Sequence, residues 1–290
     1  MSSIQQTIGF IGGGNMGEAF IGAIIHTGLA TASQIHVTDI DPERRRHLAE
    51  AYGVHTGTDN RALFDISDII VIAIKPQQMG TVLADLPPAD GTPPTTRKLI
   101  ISIAAGIRLK TFETILYARL SPDARARLPI VRVMPNTPAL VLAGMSGMSP
   151  NPMSTPQDLA LTRLLLESMG KVIMFEETDL DAVTALSGSG PAYVFYLAEA
   201  MIQGGISSGL TPENAEALTL QTLKGAICLL EELQESPENL RARVTSPGGT
   251  TAAAVGHMDA HQVKDRIAEA IVAATRRADE LSRISDPDRA

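Results

Sequence analysis

The residues of this chain best suited to chemistry include a glycine-rich turn near the C-terminal end. Ser-Pro-Gly-Gly-Thr-Thr occupies residues 246–251, and the alanine-rich stretch that follows predicts a helix. Gly248 and Gly249 allow the backbone to approach a ligand closely and to adopt a positive φ. Thr250 or Thr251 is expected to cap the helix, whose first N–H groups and dipole favour an anion. We therefore predict that this segment binds a small carboxylate, with hydroxyls beside it that orient a neighbouring polar atom.

A second glycine-rich turn lies near the N-terminus. Residues 12–17 read Gly-Gly-Gly-Asn-Met-Gly, which fits the pattern GxGxxG with Gly12, Gly14 and Gly17. The turn follows a predicted strand at 7–11 and opens a predicted helix at 16–27, which is the context of a dinucleotide site. Gly12 is expected to form the tight turn, Gly14 to admit the pyrophosphate and Gly17 to let the helix pack closely on the sheet. The alternative is a glycine-rich turn that binds nothing.

One acidic residue bears on the choice of dinucleotide. Asp39 ends the predicted second strand, 22 residues after Gly17. An acid at this place accepts hydrogen bonds from a ribose diol and repels a 2′-phosphate, which favours NADH over NADPH. Arg44, Arg45 and Arg46 follow on the next predicted helix. They are either a solvated helix face or cations that compensate a phosphate, so both cofactors stay open, with NADH slightly favoured.

Three further segments end predicted strands, where ligands bind in open α/β sheets. They lie at residues 73–76, 102–106 and 134–138, and each combines small residues or prolines with a polar group that suits the nicotinamide ribose and carboxamide. Lys75 is explained equally well as an ordinary lysine at a strand end. Together these turns and segments predict that the cofactor is bound by Ile11, Gly12, Gly13, Gly14, Asn15, Met16, Asp39, Ala73, Ile74, Lys75, Pro76, Ala104, Ala105, Gly106 and Asn136.

These residues must be positioned by a parallel sheet. Apolar, β-branched runs predict strands at 7–11, 35–38, 67–74, 98–103 and 130–134, separated by helical segments that include 42–52. After residue 175 the pattern changes to helices at 179–186, 191–204, 212–235, 237–244 and 259–284. We predict a Rossmann-type α/β dinucleotide-binding domain at 1–175, followed by an all-α substrate and oligomerisation domain at 176–290. The segment 212–235 is apolar around so much of its circumference that we expect it to be buried, including between subunits.

Composition argues against several other classes of protein. The chain has 290 residues, a net charge of −8 and 3% aromatic residues, which argues against nucleic-acid binding. No apolar run reaches the roughly 20 residues of a membrane span, and residues 1–7 lack the basic segment of a secretory signal, so we expect a cytoplasmic protein. The six histidines lack metal-ligand spacing, so we expect no metal. The single cysteine, Cys228, is expected to be a buried apolar residue.

Five motifs in order give the chain a family resemblance. The motifs at residues 10–16, 73–76, 134–138, 186–193 and 245–251 together resemble the pyrroline-5-carboxylate reductases, which catalyse the last step of proline biosynthesis. The resemblance extends from about residue 7 to about residue 284, and the Ser-Pro-Gly-Gly-Thr-Thr motif is its most specific part. It implies hydride transfer from NAD(P)H to the C=N carbon of 1-pyrroline-5-carboxylate, giving L-proline. It also implies a homo-oligomer, at least a dimer, in a family that often forms decamers.

The resemblance assigns roles to individual residues as well. It implies that the substrate is bound by Ser246, Gly248, Gly249, Thr250 and Thr251, with the Thr251 hydroxyl near the ring nitrogen as the catalytic position. We interpret Thr251 as orienting and polarising the imine, because a threonine hydroxyl is a poor general acid and the cofactor supplies the chemistry.

Two more positions follow from the resemblance. It implies that Asn60 contacts the adenosine side of the cofactor, and that Glu177 lines the substrate region. The chain departs from the family pattern in Asp39, where relatives often carry a small hydroxyl residue, and in Arg241-Ala-Arg243, where many carry an acid.

Two other functions compete with this interpretation. A β-hydroxyacid dehydrogenase shares the glycine-rich start and a helical second domain, but it needs a lysine on the first long helix of that domain, and residues 191–209 contain none. A module that senses nicotinamide dinucleotides without turnover would not require the anion site at 246–251.

Overall fold

The chain forms two compact units. The computed structural model describes residues 3–86, 92 and 94–284. The first unit contains the described residues up to 189 together with 274–284, and the second contains residues 190–273.

A mostly parallel sheet forms the centre of the first unit. In the described part of the chain its eight strands are arranged in the order β3-β2-β1-β4-β5-β6-β7-β8, with every neighbouring pair parallel except β6 and β7. The strands are β1 Ile8–Ile11, β2 Ile35–Thr38, β3 His55–Gly57, β4 Ile69–Ile72, β5 Leu99–Ser102, β6 Ile130–Met134, β7 Gly144–Pro150 and β8 Gly170–Met174.

Apolar side chains cover both faces of this sheet. Ile69 and Val71 of β4 point into one core cluster, whereas Ile70 and Ile72 point into the other. Successive side chains of a strand face opposite sides of the sheet, so a continuous apolar run is what two covered faces require. This explains why β1 and β4 are buried at every position.

Helices flank the sheet and make up the second unit. Their bounds are α1 Asn15–His26, α2 Pro42–Tyr52, α3 Asn60–Ile66, α4 Met79–Asp85, α5 Leu109–Leu116, α6 Pro122–Arg125, α7 Pro156–Glu167, α8 Leu180–Val183, α9 Gly190–Ser207, α10 Pro212–Leu233, α11 Pro237–Arg243, α12 Thr250–Ala260 and α13 Val263–Ile284. Within the second unit α9 packs on α10. A Cβ on Gly205 would lie 3.0 Å from the Cβ of Ala215, so the absence of a side chain permits this close approach.

The predicted fold class is confirmed, and all five predicted strands are present: two have the predicted bounds and three are shorter. Sequence patterns missed β3, β7 and β8. The strand β7 reads Gly-Met-Ser-Gly-Met-Ser-Pro and lacks β-branched residues. A Cβ on its Gly147 would lie 2.9 Å from Val183, so close packing selects a small residue that strand propensity disfavours.

One predicted helix is wrong. The segment predicted as a single helix at 259–284 is divided, because α12 ends at Ala260 and Gln262 takes a left-handed φ of 55° before α13 begins.

The compact units divide later than the change of pattern at 175. The last strand ends at Met174, but residues 176–189 remain with the sheet. Arg132 of β6 is buried, and its guanidinium lies 3.1 Å from Glu177 and 3.6 Å from Asp181. The last turns of α13 join the same unit through Ser282, which donates to Asp181 at 3.0 Å. The functional division at 175/176 stays a prediction.

Much of the helical unit is exposed in the single chain. Cys228, expected to be buried, is exposed on α10. Leu218, Ile227 and Leu229 of the same helix are more than half exposed. No helix among the described residues is long and apolar enough to cross a membrane.

Candidate cofactor and substrate sites

A cleft opens where β1, β2 and β4 end. The strands β1 and β4 are neighbours in the sheet although two strands separate them in sequence, and such a switch point is where open α/β sheets bind ligands. The cleft has a volume of about 360 Å³. It is lined by Ile11, Gly12, Gly14, Thr38, Asp39, Ile40, Asp41, Arg44, Thr58, Asn60, Ala73, Ile74, Lys75, Gln78 and Val82.

The three glycines of the N-terminal turn have distinct surroundings. Gly12 has a φ of +98°, and a Cβ there would lie 2.7 Å from the carbonyl oxygen of Ala73. A Cβ on Gly17 would lie 2.7 Å from the carbonyl oxygen of Gly12, which shows how tightly α1 packs on the turn. A Cβ on Gly14 would meet no protein atom within 4 Å, so that position faces the open cleft. This geometry fits a pyrophosphate at Gly14 and at the start of α1.

Asp39 is fixed at the edge of the cleft by backbone donors. Its Oδ2 accepts a hydrogen bond from the Gly13 N–H at 2.7 Å, and its Oδ1 accepts one from the Asp41 N–H at 2.9 Å. Two of the three arginines that could compensate a phosphate, Arg44 and Arg45, are engaged by the protein, whereas Arg46 is exposed. Arg44 donates to the carbonyl of Gly13, and Arg45 Nη1 donates to the carbonyl of Asp39 at 2.7 Å.

Asn60, predicted to contact the adenosine side of the cofactor, lines the cleft. Its Oδ1 accepts a hydrogen bond from the Thr38 hydroxyl at 2.6 Å, so the amide is oriented from the end of β2. Sequence reasoning missed Thr58, which lines the same cleft, because β3 carries no extended apolar run. The GxGxxG context could have indicated that a third strand delivers residues to this edge.

The remaining predicted cofactor residues do not line this cleft. Pro76, Ala105 and Gly106 line a second cavity of about 520 Å³ in the same unit. Ala104, which precedes Ala105 in the sequence, is buried. Asn136 uses its side chain within the protein, because Nδ2 donates to Ser187 and Oδ1 accepts from the Met145 N–H at 2.8 Å. The other three positions surround the glycine turn, with Gly13 buried, Met16 half-buried and Asn15 exposed.

Glu177 lies in the first unit with one oxygen engaged. Its Oε1 accepts from the Leu109 N–H at 2.6 Å and from Arg132 Nη1 at 3.1 Å. The structure therefore shows this carboxylate joining the start of α5 to β6.

The predicted substrate segment forms the start of α12 in the second unit. Gly248 is left-handed at φ +71°, and the Gly249 N–H donates to the Ser246 carbonyl at 3.0 Å, which closes the turn. The expected threonine cap is wrong. Gly249 is the N-cap, with extended backbone at φ −80° and ψ 173°, and Thr250 and Thr251 are the first helical residues.

This shift frees both threonine hydroxyls from capping. Ser246, Gly248 and Thr250 are exposed, while Gly249 and Thr251 are partly buried. Arg243 belongs to the Arg241-Ala-Arg243 segment, which departs from the family pattern. It pairs with Glu235 at 2.8 Å at the start of this loop.

Comparisons with known proteins find matches to both parts of the chain. Residues 177–281 match the family model "Pyrroline-5-carboxylate reductase dimerisation", and residues 7–106 match "NADP oxidoreductase coenzyme F420-dependent". Curated pyrroline-5-carboxylate reductases from Synechocystis and Pseudomonas aeruginosa are 39% and 38% identical. The first match covers 97% of this chain and 99% of that protein, and the second covers 95% and 96%.

Solved structures show the same similarity in three dimensions. A pyrroline-5-carboxylate reductase from Coxiella burnetii has a TM-score of 0.85 and 36% identity, covering 96% of this chain and 99% of that one. The Plasmodium falciparum pyrroline carboxylate reductase with NADP bound has a TM-score of 0.83 and 28% identity, covering 97% of this chain and all of that one. On its near-complete match to these relatives, with a candidate dinucleotide cleft in the first unit and a Ser-Pro-Gly-Gly-Thr-Thr helix start in the second, the chain belongs to the pyrroline-5-carboxylate reductase family.

Proposed function

We propose that the chain reduces 1-pyrroline-5-carboxylate to L-proline, using NADH or NADPH. The observation that carries this proposal is the presence of both required sites in one family member: an open dinucleotide cleft at Gly14 and an uncapped helix start at Thr250. The bound dinucleotide would supply a hydride to the C=N carbon of the iminium form, whose ring nitrogen already carries its proton, so the products would be the secondary amine and the oxidised dinucleotide. The residues of this chain bind the substrate and the cofactor, orient them and exclude competing reactions.

The substrate carboxylate is assigned to the start of α12. The first N–H groups of a helix lack partners in the preceding turn and carry a partial positive charge. Gly248 and Gly249 leave this end of the helix without side chains that would cover it, and Ser246 adds a hydroxyl at the same turn. Thr251, free of capping, is the residue we assign to the imine nitrogen.

Thr251 acts by orientation. A cyclic imine reacts readily as its iminium, so little acid catalysis is required, and holding the reacting carbon near the nicotinamide makes the larger contribution. We also assign Glu177 to the substrate region. Its Oε1 accepts from the Leu109 N–H and from Arg132, so Oε2 is the oxygen that we assign to a substrate contact.

For the cofactor we propose a preference for NADH. The carboxylate of Asp39 lies at the end of β2, where the ribose diol of an adenosine is read, and it repels a 2′-phosphate. Support comes from Arg44, which donates through Nε and Nη2 to the Gly13 carbonyl, and from Arg45, whose Nη1 donates to the Asp39 carbonyl, so fewer of their donors are left for a phosphate.

We further propose a homo-oligomer in the cytoplasm, at least a dimer and in the larger assembly a decamer. Support for the dimer comes from the dimerisation model matched by residues 177–281 and from the exposed apolar side chains of α10, whose burial would stabilise an interface.

Steady-state kinetics with both cofactors tests the proposal. Purified protein should oxidise NADH when pyrroline-5-carboxylate is added, and it should not act on 3-hydroxyisobutyrate, the type of substrate a β-hydroxyacid dehydrogenase would use. Thr251→Ala should lower kcat/KM by about tenfold or more, the loss of one oriented hydrogen bond in a transition state, while cofactor binding persists. Thr114→Ala, an exposed threonine on α5, is the matched control. Unchanged turnover in Thr251→Ala would remove this residue from the site.

A further inference from the structure

A carboxylate on α1 contacts three side chains of α2, and one of them, Arg44, lines the dinucleotide cleft. Glu18 is in the first turn of α1, and its side chain is only 20% exposed. Its Oε2 lies 2.5 Å from Arg44 Nη2, while its Oε1 lies 2.7 Å from His47 Nε2 and accepts from the Tyr52 hydroxyl at 3.2 Å. All three partners belong to α2, so Glu18 ties α2 to the glycine turn.

The geometry of Arg44 shows what this tie does. Its Nε and Nη2 donate to the carbonyl of Gly13 at 2.9 Å and 2.6 Å, and Nη2 also reaches Glu18. The same Gly13 donates its N–H to Asp39. The guanidinium thus lies beside the acid that reads the ribose, with two of its three nitrogens already bound.

We propose that Glu18 is a specificity-determining residue that favours NADH by holding Arg44 on the Gly13 carbonyl. This inference rests on the proposed use of the cleft by a nicotinamide dinucleotide. NADH and NADPH differ there by a 2′-phosphate of up to two negative charges, which binds best to a guanidinium with two free donors in a fork. Glu18 occupies part of that fork and places a negative charge directly on the Arg44 guanidinium. The neutral ribose diol of NADH carries no phosphate at this position, so the contact between Glu18 and Arg44 does not weaken its binding.

The surroundings keep this carboxylate charged. Burial alone would raise the pKa of Glu18, but hydrogen bonds from Arg44 and His47 outweigh burial and lower the pKa below its ordinary value. Glu18 is therefore ionised at neutral pH, and its bond to Arg44 is charge-assisted, the stronger kind of hydrogen bond.

Glu18→Ala tests the inference by releasing Arg44. We expect the ratio of kcat/KM for NADH to that for NADPH to fall about five- to tenfold, mainly through a lower KM for NADPH. Glu18→Gln keeps an acceptor without the charge, and in this variant the same ratio should fall about two- to threefold. Glu50→Ala removes an exposed carboxylate from α2, the helix that carries Arg44, and should leave the ratio unchanged.

A binding measurement makes the test independent of turnover. Titration calorimetry should show that Glu18→Ala binds 2′,5′-ADP about five- to tenfold more tightly than the wild type does, with NAD⁺ binding unchanged. If the wild type binds dinucleotides but does not reduce pyrroline-5-carboxylate, the proposed function fails while this inference is still tested by binding.

A double-mutant cycle identifies the role of Arg44. In an Arg44→Ala background, Glu18→Ala should change the affinity for 2′,5′-ADP less than twofold. An equal gain in both backgrounds would mean that Glu18 acts as a bare charge and would overturn the inference, as would an unchanged affinity in Glu18→Ala alone.

Discussion

Adding one methyl group at Gly14 should separate cofactor binding from folding. Gly14 is the N-cap of α1, with φ −67° and ψ −177°, a conformation open to alanine. A Cβ there would meet no protein atom within 4 Å. Gly14→Ala restricts the unfolded chain, which stabilises the fold by about 0.4–1 kcal/mol. Alanine is a poorer N-cap than glycine, which costs about 0.5–1 kcal/mol. The two effects offset, so we expect the free energy of unfolding to change by less than about 0.5 kcal/mol.

The same methyl group should weaken cofactor binding. It points into the cleft, where we place the pyrophosphate, and displaces it from the N–H groups of α1. We expect the KM for NADH to rise at least about tenfold, which corresponds to about 1.4 kcal/mol. The assays are urea unfolding followed by circular dichroism at fixed protein concentration, and steady-state kinetics with varied NADH.

Gly17→Ala is the contrasting variant. Its Cβ would lie 2.7 Å from the Gly12 carbonyl oxygen, inside the distance that real Cβ atoms show. Overpacking of this kind costs about 1–3 kcal/mol, against a gain in helix propensity of about 1 kcal/mol. Gly17→Ala should therefore lose stability by up to about 2 kcal/mol. An unchanged KM for NADH in Gly14→Ala would refute the placement of the pyrophosphate.

Three other measurements test separate parts of the structure. Asp39→Ser should shift kinetic preference toward NADPH by about tenfold or more, and an unchanged ratio would show that this acid does not read the ribose. Asp158→Asn should lose about 1–3 kcal/mol of stability at pH 7, because the Asp158 carboxylate accepts from the N–H and the hydroxyl of Thr155, the N-cap of α7, and pairs with Arg97. Burial would raise the pKa of Asp158, but hydrogen bonds from Arg97 and Thr155 outweigh burial and lower the pKa below the ordinary aspartate value of 3.8. Its contribution is therefore present above about pH 4 and lost as the pH falls through the lowered value, so denaturant midpoints of wild type and variant should converge in acid. Light scattering after size exclusion should give at least a dimer, whereas a stable monomer would leave the exposed apolar face of α10 unexplained.

Patterns within a few residues of each other predicted much of the first unit. Residues 69–72 are apolar without interruption, which is what a strand covered on both faces requires, and the GxGxxG spacing placed the cofactor turn between β1 and α1. These signals are local because strand period and backbone freedom depend on neighbouring positions. The strands β7 and β8 gave no such signal. A Cβ on Gly147 of β7 would meet the Val183 side chain, and a Cβ on Gly170 of β8 would meet the backbone of Gly144, so contacts with residues distant in sequence select these glycines.

The candidate sites show the same division. The sequence by itself predicted a dinucleotide turn at Gly12, Gly14 and Gly17, an acid at the end of the second strand and a glycine-rich turn followed by a helix. The structure decided that this helix begins at Thr250, with Gly249 as its cap. Only the tertiary structure decided that Gly14 faces open space while Gly17 lies against a carbonyl, and that Arg44 is held by Glu18, 26 positions away. Likewise, the 45 positions between Arg132 and Glu177 hide their pairing from any local pattern. Backbone permissiveness is a property of a residue and its neighbours, whereas the partner of a charged side chain is set by which elements the fold brings together.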